Sequence, residues 1–271
     1  MATKRLTHNI PSDKLPSLAT QAEIANYTVL DREGKEIPFR SLYSGPNATD
    51  RTLIILVRHF FCGSCQEYLL RLSQTITPTH LSTIPITTSI VIIGCGGPAL
   101  IDHYAATAQT PYPIYADPTL KLYNALEMVK TMKVGPRPEY ISKSTPRLAY
   151  EAFVQMVPFI RSGKVLQQGP GYQQGGEVLF EPVLGTQQGE GGLEREVTWC
   201  NRMQRSWGRT EIRELEGVVF GRVVENPAPR ESTVSASEKQ AGGWGWGFGV
   251  KSTVFLIGSL VAAFVVNRNR S

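Results

Sequence analysis

The stretch Leu53-Ile-Ile-Leu-Val57-Arg58-His59-Phe60-Phe61-Cys62-Gly63-Ser64-Cys65-Gln66-Glu67-Tyr68 decides how this chain is read. Residues 53–57 form a continuous apolar run rich in β-branched side chains, which suits a central parallel strand buried on both faces. Beyond it, Cys65, Leu69, Leu72 and Ile76 recur at helical spacing and mark one face of an α-helix. The two cysteines therefore fall where a strand passes into a helix. That context, more than the Cys-x-x-Cys spacing itself, makes the pair informative. Residues three apart at a helix start lie on one face at about 5–6 Å, within the span a disulfide bridges. A helix N-terminus also favours a thiolate through its unsatisfied N–H groups and dipole. Arg58, and His59 if protonated, add positive charge nearby. A redox-active pair is the expected chemistry. Half of a zinc site and two inert core cysteines are the alternatives, and no second Cys-x-x-Cys or His pair supports zinc.

Outward from this stretch, strands are expected at residues 27–30, 36–39, 89–93 and 113–115. The 89–93 strand closes in Gly94, Gly96 and Gly97. A helix from about residue 98 to 108 starts with Pro98 in its first turn. Asp117 stands at an N-cap position with Pro118 after it, opening a helix to about Met128. The β-α-β-α-β-α order predicts an α/β fold with a largely parallel sheet. Residues 150–160 read as a helix interrupted at Pro158. Residues 177–180 and 196–200 read as partner strands around a Gly/Gln-rich loop at 185–192. Residues 210–215 read as a short helix capped by Thr210. The main domain is expected over 20–222, preceded by a mobile polar arm at 1–19 and followed by a flexible linker at 223–243.

The chain has 271 residues, a formal net charge of +5 and 41% hydrophobic residues, enough to bury a core. Part of the basic excess lies at the ends, no nucleic-acid motif stands out, and no nucleic-acid partner is expected. Four cysteines in a chain of this length are no disulfide scaffold. No apolar run follows the basic start, so no secretory signal is expected and the domain should face the cytosol, where thiols stay reduced.

Residues 252–266 are uncharged and strongly apolar, with Arg268 and Arg270 beyond. As a helix they rise only roughly 22 Å, short of the ~30 Å hydrocarbon core. Trp244, Trp246 and Phe248 supply an aromatic belt and Lys251 can snorkel, so a transmembrane anchor is expected over 244–267. A buried terminal helix is the alternative. Mitochondrial outer membrane and endoplasmic reticulum are the candidate hosts.

Cys95 ends the strand beside the one that leads to Cys62, so it shares the carboxyl edge of the sheet, where sites form. It is either a third, resolving thiol or a small buried residue before a turn. Glu67 is either an aid to proton transfer or part of a solvated helix face. Cys200 reads as structural.

Taken together, these landmarks resemble the peroxiredoxin-like, AhpC/TSA-type antioxidant proteins, in a fungal-type member with a C-terminal anchor. The likeness rests on residues 57–68, Val91-Ile-Ile-Gly-Cys-Gly96, residues 113–123, Gln173-Gln-Gly-Gly-Glu-Val-Leu-Phe180 and Thr198-Trp-Cys-Asn-Arg-Met203. It implies a thioredoxin-like fold with a central sheet flanked by helices, and thiol redox chemistry without nucleotide or metal cofactor. The family's Pro-xxx-Thr-xx-Cys motif falls on Arg58, Cys62 and Cys65, so two of its three positions differ. The family's supporting arginine falls near Gly175, where none stands. Dithiol exchange is left intact by these departures, with Cys62 attacking and Cys65 resolving. The expected function is a thiol–disulfide oxidoreductase that reduces hydroperoxides or oxidised partners and is regenerated by a cytosolic thiol reductant. The competing expectation is a non-catalytic, membrane-tethered adaptor.

Overall fold

The run at 53–57 supplies most of an interior strand of a seven-stranded sheet in the computed structural model, which describes residues 12–183 and 195–220. In chain order the elements are α1 (Leu18–Ala25), β1 (Thr28–Leu30), β2 (Glu36–Pro38), β3 (Arg51–Leu56), α2 (Gly63–Thr75), α3 (Pro78–Thr83), β4 (Thr88–Gly94), α4 (Ile101–Ala108) and β5 (Ile114–Ala116). There follow α5 (Lys121–Ala125), α6 (Thr145–Ile160), β6 (Gly176–Pro182), β7 (Arg195–Arg202) and α7 (Ile212–Phe220). The result is a mixed α/β fold, with a central sheet flanked by helices.

The strand order is β2-β1-β5-β4-β3-β6-β7. Only β3 with β4 and β4 with β5 pair in parallel. The pairs β1–β2, β1–β5, β3–β6 and β6–β7 are antiparallel, so the expected largely parallel sheet is corrected to a mixed one. The reason lies at both edges: β1 runs against β5 and β2 on one side, and on the other β6 returns along β3 in the opposite sense with β7 antiparallel to it. Every residue of β3 from Thr52 to Leu56 is buried, as its unbroken apolar pattern requires. The Tyr123 hydroxyl donates to the carbonyls of Val57 at 2.6 Å and Ile93 at 2.9 Å, tying together the carboxyl ends of β3 and β4.

Helix α2 buries Cys65, Leu69 and Leu72 on one face, with Ile76 at its C-cap, which is the spacing seen in the sequence. Three other elements differ from expectation. Asp117 is not at the N-cap; α5 begins four residues later, behind Leu120 at φ 59°. Asp117 still caps it from a distance, accepting from the Leu122 N–H at 2.9 Å and the Thr119 hydroxyl at 2.6 Å. Helix α6 starts at Thr145 and contains Pro158 without interruption. A proline near the helix end removes one late hydrogen bond, and the preceding turns hold.

The expected arm at 1–19 is the third difference. Its described part is tied to the sheet: Ser12 accepts from the Arg202 N–H at 2.8 Å, and Lys14 accepts from the Cys200 thiol at 3.1 Å. Ser17 then caps α1, with its hydroxyl accepting from the Thr20 N–H. The 185–192 loop, the linker at 223–243 and the anchor at 244–267 lie outside the described residues. Among the described residues no helix is long and apolar enough to cross a membrane.

Candidate active site at the start of helix α2

The chain leaves β3 through Val57, whose N–H donates to Ile93 at 2.8 Å, and enters the loop Arg58–Phe61. Phe60 is held by its own N–H on the Gln168 carbonyl at 3.0 Å. Its ring lies against Gly94 and Gly96, where a methyl group on either glycine would collide with it. Glycine at these two positions is what lets the loop fold down onto the end of β4. Cys62 then occupies the N-cap of α2, with φ −76° and ψ 100°. Its carbonyl accepts from the N–H groups of Cys65 at 3.0 Å and Gln66 at 3.1 Å, so Cys65 stands in the first turn of the helix.

The two thiols are free rather than bonded, with Cys65 in the first turn of the helix that Cys62 caps. Around Cys62, the Ser64 hydroxyl lies at 3.2 Å and the Arg58 guanidinium at 3.7 Å. Arg58 is fixed in turn by a 2.8 Å bond from its other Nη to the Gly171 carbonyl. The neighbouring Cys65 thiol is the strongest influence on Cys62 and holds its thiol well below the usual range. Burial opposes this, and Arg58, His59 and Ser64 assist. Cys65 is pushed well above the usual range, first by burial and then by the neighbouring Cys62. The two thiols are thus shifted in opposite directions, Cys62 downward and Cys65 upward.

His59 brings little of the positive charge it would add if protonated. Burial, and after it the neighbouring Arg58, lower its pKa against the pull of the Cys62 thiolate, so it is a weak source of positive charge at neutral pH. Cys95 is brought to the same sheet edge. Its S–H donates to the Arg58 carbonyl at 2.6 Å, and burial pushes its thiol up to about 12. It braces the loop that carries Arg58. Glu67 is neither solvated nor turned to the thiols. It is buried on another face of α2, bound by Lys143 at 2.9 Å and the Ser142 hydroxyl at 2.8 Å. Among the described residues no group of three or more His, Cys, Asp or Glu is placed to hold a metal.

Arg209 was not anticipated. It precedes α7, and the chain reaches it through a tight turn, with Trp207 at φ 72° and the Gly208 N–H on the Arg205 carbonyl at 3.0 Å. One Nη of Arg209 lies 3.8 Å from Cys65 Sγ and donates to the Leu56 carbonyl at 2.9 Å. The other makes a 2.7 Å ion pair with Glu177 of β6. The guanidinium carbon stands 4.8 Å from the centre of the Tyr68 ring. Glu177 also accepts from Asn201 at 2.9 Å and Thr210 at 3.3 Å, so the buried carboxylate is fully engaged. Gly175, where an arginine was sought, has no space for any side chain: a methyl group there would collide with the Leu56 carbonyl and come within 3.0 Å of Arg209 itself. One signal pointed to this cation. Glu177 stands in an apolar strand, and a buried carboxylate needs a charged partner.

Helix α6 lies across the first turn of α2. Leu148 packs on Gly63, Gln155 and Gln66 exchange side-chain amide bonds at 2.8 and 3.2 Å, and the Phe159 ring meets those of Phe61 and His103. Cys62 is 3% exposed and Cys65 1%.

A family model described as AhpC/TSA antioxidant enzyme matches residues 71–187, beginning after both cysteines of the pair. The chain is similar to AhpC/TSA-type, peroxiredoxin-like proteins. It is 26% identical over 163 residues to peroxiredoxin-like 2C of Takifugu rubripes, covering 59% of this chain and 69% of that protein. It is 27% identical over 165 residues to peroxiredoxin-like 2C of Homo sapiens, covering 59% and 68%. It is also 27% identical over 154 residues to the chloroplastic thioredoxin-like protein AAED1 of Arabidopsis thaliana, covering 57% and 58%. Solved structures that align with it include a secreted Mycobacterium tuberculosis disulfide oxidoreductase (10% identity, TM-score 0.36, 73% of this chain and 98% of that one). Another is the Xanthomonas campestris bacterioferritin comigratory protein (12% identity, TM-score 0.37, 77% and 93%).

Proposed function

We propose that the chain is a thiol–disulfide oxidoreductase of peroxiredoxin-like type in which Cys62 attacks and Cys65 resolves. The observation that carries this reading is the placing of the pair: Cys62 at the N-cap of α2, with Arg58 and Ser64 on its sulfur, and Cys65 in the first turn of the same helix. With a hydroperoxide, the Cys62 thiolate takes the terminal oxygen, the O–O bond breaks, and the alkoxide leaves with a proton from solvent. Cys62 becomes a sulfenic acid. Cys65 then attacks that sulfur, and the departing hydroxide takes up the Cys65 proton as water. With a disulfide partner, the same thiolate displaces one partner sulfur, and Cys65 displaces the other. Either route leaves a Cys62–Cys65 disulfide, which two equivalents of a cytosolic thiol reductant return to the dithiol. Arg209, at the Cys65 sulfur, assists the resolving step by favouring the anion there. In this reading residues 252–266 tether the domain to a mitochondrial outer or endoplasmic reticulum membrane.

The burial of both thiols favours a second reading, a non-catalytic adaptor. Turnover of a hydroperoxide and of a small-molecule disulfide by the full chain separates the two. The enzyme reading expects Cys62→Ser to abolish both activities. It expects Cys65→Ser to stop after one turnover, with Cys62 trapped as sulfenic acid or mixed disulfide. Equal, negligible turnover by all three proteins, with no disulfide formed on oxidation, leaves the adaptor.

A further inference from the structure

Helix α6 is apolar far beyond what the fold buries. Of its sixteen residues only Leu148 is buried, and its exposed face carries Tyr150 (68% exposed), Phe153 (39%), Val154 (46%) and Val157 (48%). These recur at i, i+3, i+4 and i+7, a continuous apolar stripe along one side of the helix. A stripe of this kind on a folded surface marks something that covers it. We infer that this face of α6 lies in the interfacial region of an anionic lipid bilayer.

The charges select that occupant. Arg147 and Arg161 continue the same stripe at its two ends, and both are exposed. They stand at equal distances in sequence from Val154, roughly 20 Å apart along the helix axis at 1.5 Å per residue. An apolar face closed at each end by arginine is the pattern of a helix lying flat in a membrane interface, side chains down and guanidinium groups among the phosphates. Over residues 143–164 the basic residues are Lys143, Arg147, Arg161 and Lys164 and the acidic one is Glu151; Lys143 pairs with Glu67 and Glu151, and Arg147 also reaches Glu151, so the surplus positive charge that matches anionic headgroups lies with Arg161 and Lys164 beside Arg147. A second copy of the chain fits worse. Two α6 helices paired antiparallel about Val154 bring Arg147 of each against Arg161 of the other, and a parallel pair stacks each arginine on its own counterpart. Like charges face each other in both arrangements.

Helix α6 also packs beside Cys62, through Leu148 on Gly63 and Gln155 on Gln66. A helix held by a bilayer on one face and by α2 on the other ties the accessibility of the thiol to the membrane. The docking itself does not depend on whether the pair is catalytic.

Hydrogen exchange in peptides covering 145–160 tests this in the full chain, with phosphatidylglycerol-containing vesicles, with phosphatidylcholine vesicles and without lipid. This readout is local to α6, so membrane attachment through residues 252–266 does not mimic it. The expected result is several-fold slower exchange on anionic vesicles, reversed by the double variant Phe153→Asp with Val157→Asp. Both positions are exposed, and an unchanged exchange pattern elsewhere shows that the variant is folded. Exchange in α6 that is the same with and without anionic vesicles overturns the proposal. So does protection that grows with protein concentration in the absence of lipid, which assigns the face to a second copy.

Discussion

The Arg209 guanidinium reaches to 3.8 Å from the Cys65 sulfur across 144 positions of sequence, while its other Nη holds the buried carboxylate of Glu177 at 2.7 Å. Both ion-pair partners are sealed from solvent. Removing one leaves the other as an uncompensated buried charge, which costs about 3–5 kcal/mol. Arg209→Ala is therefore expected to lower the unfolding free energy by about that much in urea titration. The double variant Arg209→Met with Glu177→Leu removes both charges and is expected to recover most of the loss. Equal destabilisation by the single and double variants would show that the charge pairing is not what matters there.

The same arginine separates stability from chemistry. In the recovered double variant, reduced protein should still form its first adduct at Cys62, but conversion of that adduct to the Cys62–Cys65 disulfide should slow by roughly tenfold or more, since ~1.4 kcal/mol of lost anion stabilisation already gives that factor. Quenched-flow mass spectrometry reads the adduct and the disulfide separately. An unchanged rate of disulfide closure removes Arg209 from the resolving step.

Cys62 sets a pH signature. Its folded pKa is depressed, so the thiolate persists below the ordinary thiol value of ~8.5. Iodoacetamide modification of Cys62 in the Cys65→Ala and wild-type proteins should differ: the wild type keeps its rate to lower pH, because the neighbouring Cys65 thiol is the largest cause of the depression and alanine has no donor to replace it. Arg58→Met should move the wild-type midpoint upward. The stability sign follows from linkage: the ionised Cys62 stabilises the fold above its unfolded pKa, and that contribution is lost as pH falls through the folded value. A midpoint at the ordinary thiol value in the wild type contradicts the arrangement.

Access to Cys62 depends on α6. Leu148→Ala removes the side chain that packs on Gly63, and a buried Leu→Ala change costs about 2–5 kcal/mol when the site cannot collapse. That loss falls on the docking of α6, so Cys62 modification at fixed pH should accelerate while the global unfolding midpoint moves little. Acceleration that merely tracks global unfolding denies α6 the role of a separate cover.

Gly175 gives a steric test. A methyl group there meets the Leu56 carbonyl, which itself accepts from Arg209. Gly175→Ala is expected to cost about 1–3 kcal/mol through overpacking and to disturb Cys65 through the displaced guanidinium. Circular-dichroism melts and the disulfide-closure assay check the two effects in one protein.

Local pattern was sufficient for much of this molecule. The unbroken apolar run at 53–57 requires a strand buried on both faces, and the spacing of Cys65, Leu69, Leu72 and Ile76 requires a helix packed on one side. Their junction alone puts Cys62 at an N-cap, because capping geometry is a matter of a few adjacent residues. Tertiary structure decided what no local spacing encodes. The orientations of β1 and β6 make the sheet mixed, and the return of the chain after β7 brings Arg209 to Cys65. The packing of α6 against α2 sets Leu148 on Gly63, and the segment before it takes Glu67 into an ion pair with Lys143. Each of these contacts joins residues far apart in sequence. Their energy comes from desolvated charges and side-chain packing, which exist only once the elements have met.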